Sequence, residues 1–567
     1  MRTLLLAAAA LLAASPAVAD TLIDNVNGLQ VDKEGRLRSF TGFLIGDDGK
    51  VKIVFGTRGQ RRPGPVDRTI DMGGRMLLPG LIDAHGHVVQ LPGGSAGLGM
   101  LALQLDVGGT NSLAEVQQRL KSYAAANPGD GWIVGQGWNH ELWPTKAFPT
   151  AADLDAVVSD RPVWLVRIDG HAAVGNSAAL RAAGITARSV APEGGRIEKD
   201  PAGNPTGLFV DNATSLVAGK IPPATDDTLY RALEAAQDQL VAVGITAVAD
   251  MGTSAGSWRA MQRVAQDGRL KVRIMSYSDG LAPLSALHLN APTSWMFDDR
   301  LRMGGVKLYA DGALGSRGAW LKRPYADKAD TVGLRFLSDA ELRDQADKAA
   351  GMGFQLAVHA IGDAANAQVI SAYERLSKQY AGDRRWRIEH AQILDPVDIP
   401  RIAKAGIIAS MQPTHQTSDR LMAEARLGPE RLAGAYAWRT IAQSGARLAF
   451  GSDFPVESPN PFPGLSAAIS RQDPNGQPPG GWRPDEAVSL AQALNGFTLG
   501  AAYAGFAEHR IGSLEPGKWA DFIIVDRDIS KADAQSLAAT RVLETWVAGK
   551  KVWERPVSAE AGPERGR

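Results

Sequence analysis

The chain of 567 residues is 44% hydrophobic and 22% charged, a globular composition with ample material for a buried core, which excludes disordered and collagen-like chains. Its 61 lysines and arginines balance 61 aspartates and glutamates, so no net field draws it to nucleic acid or an anionic membrane, and a small-molecule partner is expected. At roughly 150 residues per domain the length corresponds to about three or four units, although a barrel absorbs 250 or more as one.

In chain order, Met1-Arg2-Thr3, the apolar run from Leu4 to Ala14, and Ser15-Pro16-Ala17-Val18-Ala19 follow the grammar of a secretory signal peptide, with cleavage expected after Ala19. The run is short for a hydrocarbon layer of about 30 Å, and no later stretch looks membrane-spanning. The mature chain is therefore expected outside the cytoplasm, in a periplasm, without a membrane anchor. Having no cysteine, it forms no disulfides and must hold any metal with His, Asp, Glu or modified Lys.

From Thr21 to Leu77 short β-type runs alternate with turns, for example Phe43-Leu44-Ile45-Gly46 and Lys50-Val51-Lys52-Ile53-Val54. Matching runs return near the other end, in Ala520-Asp521-Phe522-Ile523-Ile524-Val525 and Val542-Leu543-Glu544-Thr545-Trp546-Val547. The two ends, residues 20–77 and 508–555, are expected to pair into a β-sandwich accessory domain that supports the rest. Between them, residues 78–507 alternate apolar β-branched runs with helical stretches. Strands are predicted over Leu78 to Ala84, Ile245 to Ala249, Lys271 to Met275, Gly305 to Tyr309, Gln355 to Val358, Arg387 to Glu389, Ile407 to Met411 and Arg447 to Phe450. Eight parallel strands with intervening helices predict an α/β fold, the TIM (β/α)8 barrel. The interval from His87 to Gly244 is far longer than a βα loop needs, and it carries strand-like runs of its own. It predicts an inserted subdomain at roughly 92–240, placed over the barrel mouth.

His85 and His87, one residue apart at the end of the first strand, point to the same face, as two imidazoles sharing a metal must. Lys307, His359, His390 and Asp453 fall on or just beyond the C-terminal parts of four other predicted strands, where a barrel builds its active face. With nine histidines in the whole chain, this concentration points to a metal site. Glu389 could orient His390, but strand alternation turns it away. Asp311 and Arg317 are expected to pair and shape the loop after the fourth strand. Trp138 and His140, in Gly135-Gln136-Gly137-Trp138-Asn139-His140, together with His171 and His415, are candidates for substrate contact, because an aromatic ring with nearby hydrogen-bonding groups suits an amide with an apolar part. His288 and His509 lack any partner pattern and are expected to be structural.

Pro79-Gly80-Leu81-Ile82-Asp83-Ala84-His85-Gly86-His87, Asp169-Gly170-His171-Ala172-Ala173-Val174-Gly175-Asn176, the segment Val306 to Arg317, and Gly451-Ser452-Asp453-Phe454-Pro455-Val456 resemble the metal-dependent amidohydrolase superfamily. Within it they are most similar to the amidohydrolase-3 branch, which includes N-substituted formamide deformylase-like enzymes. The resemblance implies a site for two divalent metal ions, most often zinc. It implies that His85, His87 and Asp453 hold one ion, that His359 and His390 hold the other, and that a carboxylated Lys307 bridges them. A mononuclear site with unmodified Lys307 stays open. The resemblance further implies attack by metal-activated hydroxide on a non-peptide carbon–nitrogen bond of an amide, formamide or cyclic amide, with Asp453 as general base and then proton donor to the leaving nitrogen. An esterase or lactonase on the same site is the alternative, and a binding protein that has lost its chemistry is the rival outside enzymes. A carbohydrate-binding module ranks last, since the 13 tryptophans are scattered. The substrate and the oligomeric state, a homo-oligomer included, stay open.

Overall fold

The computed structural model describes residues 20–556 apart from 65, 92–95, 168–171 and 193–194. The expected signal peptide and His171 lie outside the described residues. The chain forms two compact units, one of residues 20–87, 238–255 and 270–556, the other of residues 88–237 and 256–269.

In the first unit, eight parallel strands follow one another in sequence order: β1 (Leu81–Gly86), β2 (Ile245–Thr253), β3 (Arg273–Asp279), β4 (Leu301–Tyr309), β5 (Gln355–Ala360), β6 (Arg387–His390), β7 (Ile408–Met411) and β8 (Arg447–Phe450). Most of their residues are buried on both faces, which is why they read as continuous apolar runs rather than alternating ones. The ends of the sheet meet where Gly86 bridges Phe454 in parallel and the Asp453 amide donates to the His85 carbonyl over 2.7 Å. The sheet is thus an α/β barrel of the TIM type.

The run predicted as a single first strand is split. Met76–Pro79 pairs with Thr21–Val31 and Phe522–Val525 in a different sheet, and β1 starts only at Leu81. Pro79 offers no amide to a ladder, and a side chain at Gly80 would run into Thr246, so the chain changes sheets at this dipeptide. The same shift places His85 inside the strand rather than beyond it. His359 and His390 likewise lie on β5 and β6, not after them.

Strands from both ends of the chain share one eight-stranded sheet, ordered from Lys550–Glu554 through Val542–Val547, Phe522–Val525, Met76–Pro79, Thr21–Val31 and Leu37–Ile45 to Val51–Phe55, with Arg68–Asp71 beside Thr21–Val31. Phe43 and Phe522 lie three strands apart, about 14 Å in a flat sheet. Their rings are nevertheless 5.3 Å apart, edge to face. The sheet therefore folds over its own core of Ile23, Phe43, Leu77, Phe522 and Trp546 instead of forming two separate sheets.

The second unit has a six-stranded mixed sheet, ordered Gly195–Lys199, Pro205–Asp211, Ala172–Gly175, Val163–Arg167, Ile133–Trp138 and Leu105–Asp106. Two apolar clusters pack on it, one around Trp138, Trp143 and Leu165, the other around Trp164, Phe209 and Val217.

Candidate metal centre

The site grows from the meeting of β1 with the turn after β8. Asp83, buried on β1, accepts from the His85 amide at 3.0 Å and from the Ser452 hydroxyl at 2.6 Å. This clamp needs the close approach of Gly451, where a Cβ would collide with the Asp83 carboxylate and the His85 amide. Beyond it Asp453 takes a left-handed conformation with φ of 60°, which turns its carboxylate toward β1. Asp453 Oδ1 lies 3.1 Å from His87 Nε2 and 3.4 Å from His85 Nε2.

Lys307 on β4 brings Nζ to 3.3 Å from His85 Nε2. The His390 ring is 4.7 Å from that of His85 and 4.5 Å from that of His359, centroid to centroid. His85, His390 and Asp453 each offer a ligand atom, all within 4.8 Å of one another. His390 has φ of 76° and Ala391 φ of 45°, so the backbone leaves the β conformation as β6 ends. Gln412 then receives the His390 Nδ1 hydrogen at 2.9 Å. His415 joins the cluster, its ring stacked 6.1 Å from that of His390 and its Nε2 3.7 Å from Asp453 Oδ2.

Burial, reinforced by Lys307, lowers His85 to about 4 and His359 to about 3, and burial among other imidazoles holds His390 well below its usual range. Burial lowers Lys307 to about 8. Burial opposes ionisation of Asp453, yet His85, His87 and His390 hold its carboxyl well below the usual carboxylate range. Neutral imidazoles around one carboxylate form a donor set for a divalent cation. Among the described residues, His87 Nδ1 and His359 Nε2 are buried with no hydrogen-bond partner. Buried polar atoms are seldom left unpaired, and a bound cation accounts for such lone pairs.

Of two expectations about supporting charges, one holds and one is corrected. Glu389 does turn away from His390, but toward the barrel interior, where Oε2 accepts from His85 Nδ1 at 2.7 Å. Asp311 does not pair with Arg317. It is fully buried and accepts from the amides of Trp320, Ile361 and Gly362, whereas Arg317 binds the carboxylate of Asp327. The three amides already surround Asp311, and an exposed partner suits the longer Arg317. Sequence reasoning also passed over Asp83, Arg387 and Gln412. The one available signal was the pair Arg387 and Glu389, two charges on the same face of a strand buried along its whole length.

The remaining candidates belong to the second unit. Trp138 is wholly buried there, donates its indole hydrogen to the Leu165 carbonyl at 2.9 Å and packs beside Trp143. His140 stacks on Phe148 at 4.0 Å between centroids. Of the two histidines expected to be structural, His509 is exposed beside Glu508.

A parallel barrel that gathers imidazoles, a lysine and a carboxylate at its strand ends defines the class of metal-dependent hydrolases built on that fold. The model of the amidohydrolase family matches residues 68–553, and the chain belongs to that family. Protein LONG AFTER FAR-RED 3 of Arabidopsis thaliana is 34% identical over 85% of this chain and 83% of the plant protein. N-substituted formamide deformylase of Arthrobacter pascens is 28% identical over 94% of this chain and 98% of its own. The crystal structure of an uncharacterised metal-dependent hydrolase from Pyrococcus horikoshii OT3 superposes with a TM-score of 0.75 at 27% identity, over 91% of this chain and 99% of that one.

Proposed function

We propose that this amidohydrolase cleaves a non-peptide carbon–nitrogen bond, with an N-substituted formamide, another amide or a cyclic amide as substrate, and that it does so in the periplasm after removal of residues 1–19. The observation that carries the reading is the ionised Asp453 set among His85, His87 and His390. Likeness to the Arthrobacter deformylase along nearly both whole chains supports the choice of bond.

In this reading His85, His87 and Asp453 would hold one divalent ion and His359 and His390 a second, zinc in both cases, and Lys307, as its carbamate, would supply an anionic ligand shared by the site. Metal ions there supply Lewis acidity for a carbonyl and lower the pKa of water. Lys307 with a pKa of about 8 is neutral in a useful fraction of molecules near neutral pH, and the neutral amine is the form that adds to carbon dioxide, releasing a proton.

Asp453 divides its two oxygens between two tasks. Oδ1 faces His87 Nε2 and His85 Nε2, where a cation would be held, leaving Oδ2 to take the proton of the attacking water and return it to the leaving nitrogen. The Gln392 amide donates to His415 Nδ1 at 3.0 Å, so the ring carries its proton on Nε2, beside Oδ2, where it can donate to a substrate carbonyl.

Elemental mass spectrometry of chelator-free mature protein should find about two divalent ions per chain, and fewer after Lys307→Ala. A panel of N-substituted formamides, amides and cyclic amides, run beside matched esters and lactones, should show turnover of the nitrogen compounds first. Turnover of esters alone would establish the esterase reading, and absence of metal after reconstitution would leave a binding protein. The N-terminal mass of the exported protein should correspond to a chain beginning at Asp20.

A further inference from the structure

Beneath the ligands lies a wholly buried chain of charge that no step above uses. Arg387 donates from Nε to Glu389 Oε1 at 2.8 Å and from Nη2 to Oε2 at 3.1 Å. The same Nη2 reaches the Ala84 carbonyl at 2.7 Å and the Ser410 hydroxyl at 3.0 Å, and Nη1 donates to Tyr277 at 3.0 Å. Arg387, Glu389 and His85 are each 0% exposed.

We infer that Glu389, held by Arg387, is the positioning residue for His85: it fixes the proton on Nδ1, so that Nε2 turns its lone pair to the metal. This rests on the metal reading above. A carboxylate already accepting from Arg387 can only accept from the imidazole, which leaves one tautomer and one ring orientation. Arg387 grips the ligand's backbone as well, through the carbonyl of Ala84 immediately before His85. Stability alone gives a weak reason to bury such a pair, because apolar residues of similar volume commonly replace buried ion pairs without loss. A histidine ligand, by contrast, gains basicity and orientation from a carboxylate on its far nitrogen, and losing that partner costs about 10–100-fold in metal affinity.

The test is zinc titration of metal-free protein against a competing chelator, with folding followed separately by urea denaturation. The double variant Arg387→Met, Glu389→Met removes both charges together and is expected to fold, while binding zinc about 10–100-fold more weakly than wild type. Glu389→Gln is expected to weaken zinc in the same direction. Unchanged zinc affinity in the folded double variant overturns the inference, since a purely structural pair would alter only the urea midpoint. If neither variant folds, the 15N spectrum of histidine-labelled metal-free wild type decides. A proton on Nδ1 of His85, assigned by its loss in His85→Asn, upholds the inference, and a proton on Nε2 overturns it. A wild-type chain that takes up no zinc overturns the metal reading itself, an outcome distinct from equal affinities.

Discussion

Asp453→Asn is expected to lower kcat about 10^4-fold, the upper end of what one acid–base group contributes, while the urea midpoints of the metal-free variant and metal-free wild type agree within error, bound metal being a separate source of stability. The amide has nearly the shape of the carboxylate, and the backbone bond from Asp453 N to His85 O does not involve the side chain. What changes is chemistry: an asparagine takes no proton from water and carries no charge to balance a cation. Because His85, His87 and His390 all stabilise the ionised form, the loss is felt by the whole cluster, and metal content should fall along with turnover. A variant within tenfold of wild-type kcat would remove Asp453 from the proton transfers.

The second large effect lies far from the chemistry. Arg273 at the start of β3 is fully buried and makes a two-pronged bond to Asp521, at 2.7 and 2.9 Å, in the segment leading to Phe522–Val525. It also donates to the carbonyls of Asp298 and Asp299 and lies 4.7 Å over the ring of Trp519. Asp521 in turn receives the Ala548 amide, so this one pair joins a barrel strand to the terminal sheet. Arg273→Met leaves a buried carboxylate without its cation and is expected to cost about 3–5 kcal/mol of unfolding free energy, read from urea denaturation. Adding Asp521→Leu should restore part of that loss, because no buried charge then stands alone. Equal stability of Arg273→Met and wild type would show that the pair is dispensable.

Much of the site was legible in the chain because strand periodicity is local. His85 and His87 share a face by alternation alone, and both reach Asp453 Oδ1. The barrel strands were visible because burial on both faces selects uninterrupted apolar runs. Alternation also put Glu389 and His390 on opposite faces, as they are. It could not say that the face of Glu389 holds the far nitrogen of His85, 304 positions away in sequence on a strand that β6 does not pair with. For Asp311, the choice of Arg317 followed sequence proximity, whereas the structure satisfies the carboxylate with backbone amides of the segment that follows β5 and of Trp320.

By itself, then, the sequence determined which residue types stand at the ends of which strands, since hydrophobic periodicity and turn chemistry act over a few neighbours. Tertiary structure alone decided that β1 begins at Leu81, that His390 turns at a positive φ, and that Arg387 and Glu389 stand behind His85. Closing a barrel brings together strands hundreds of residues apart. A local pattern specifies the face a side chain takes, and the closure specifies what that face meets.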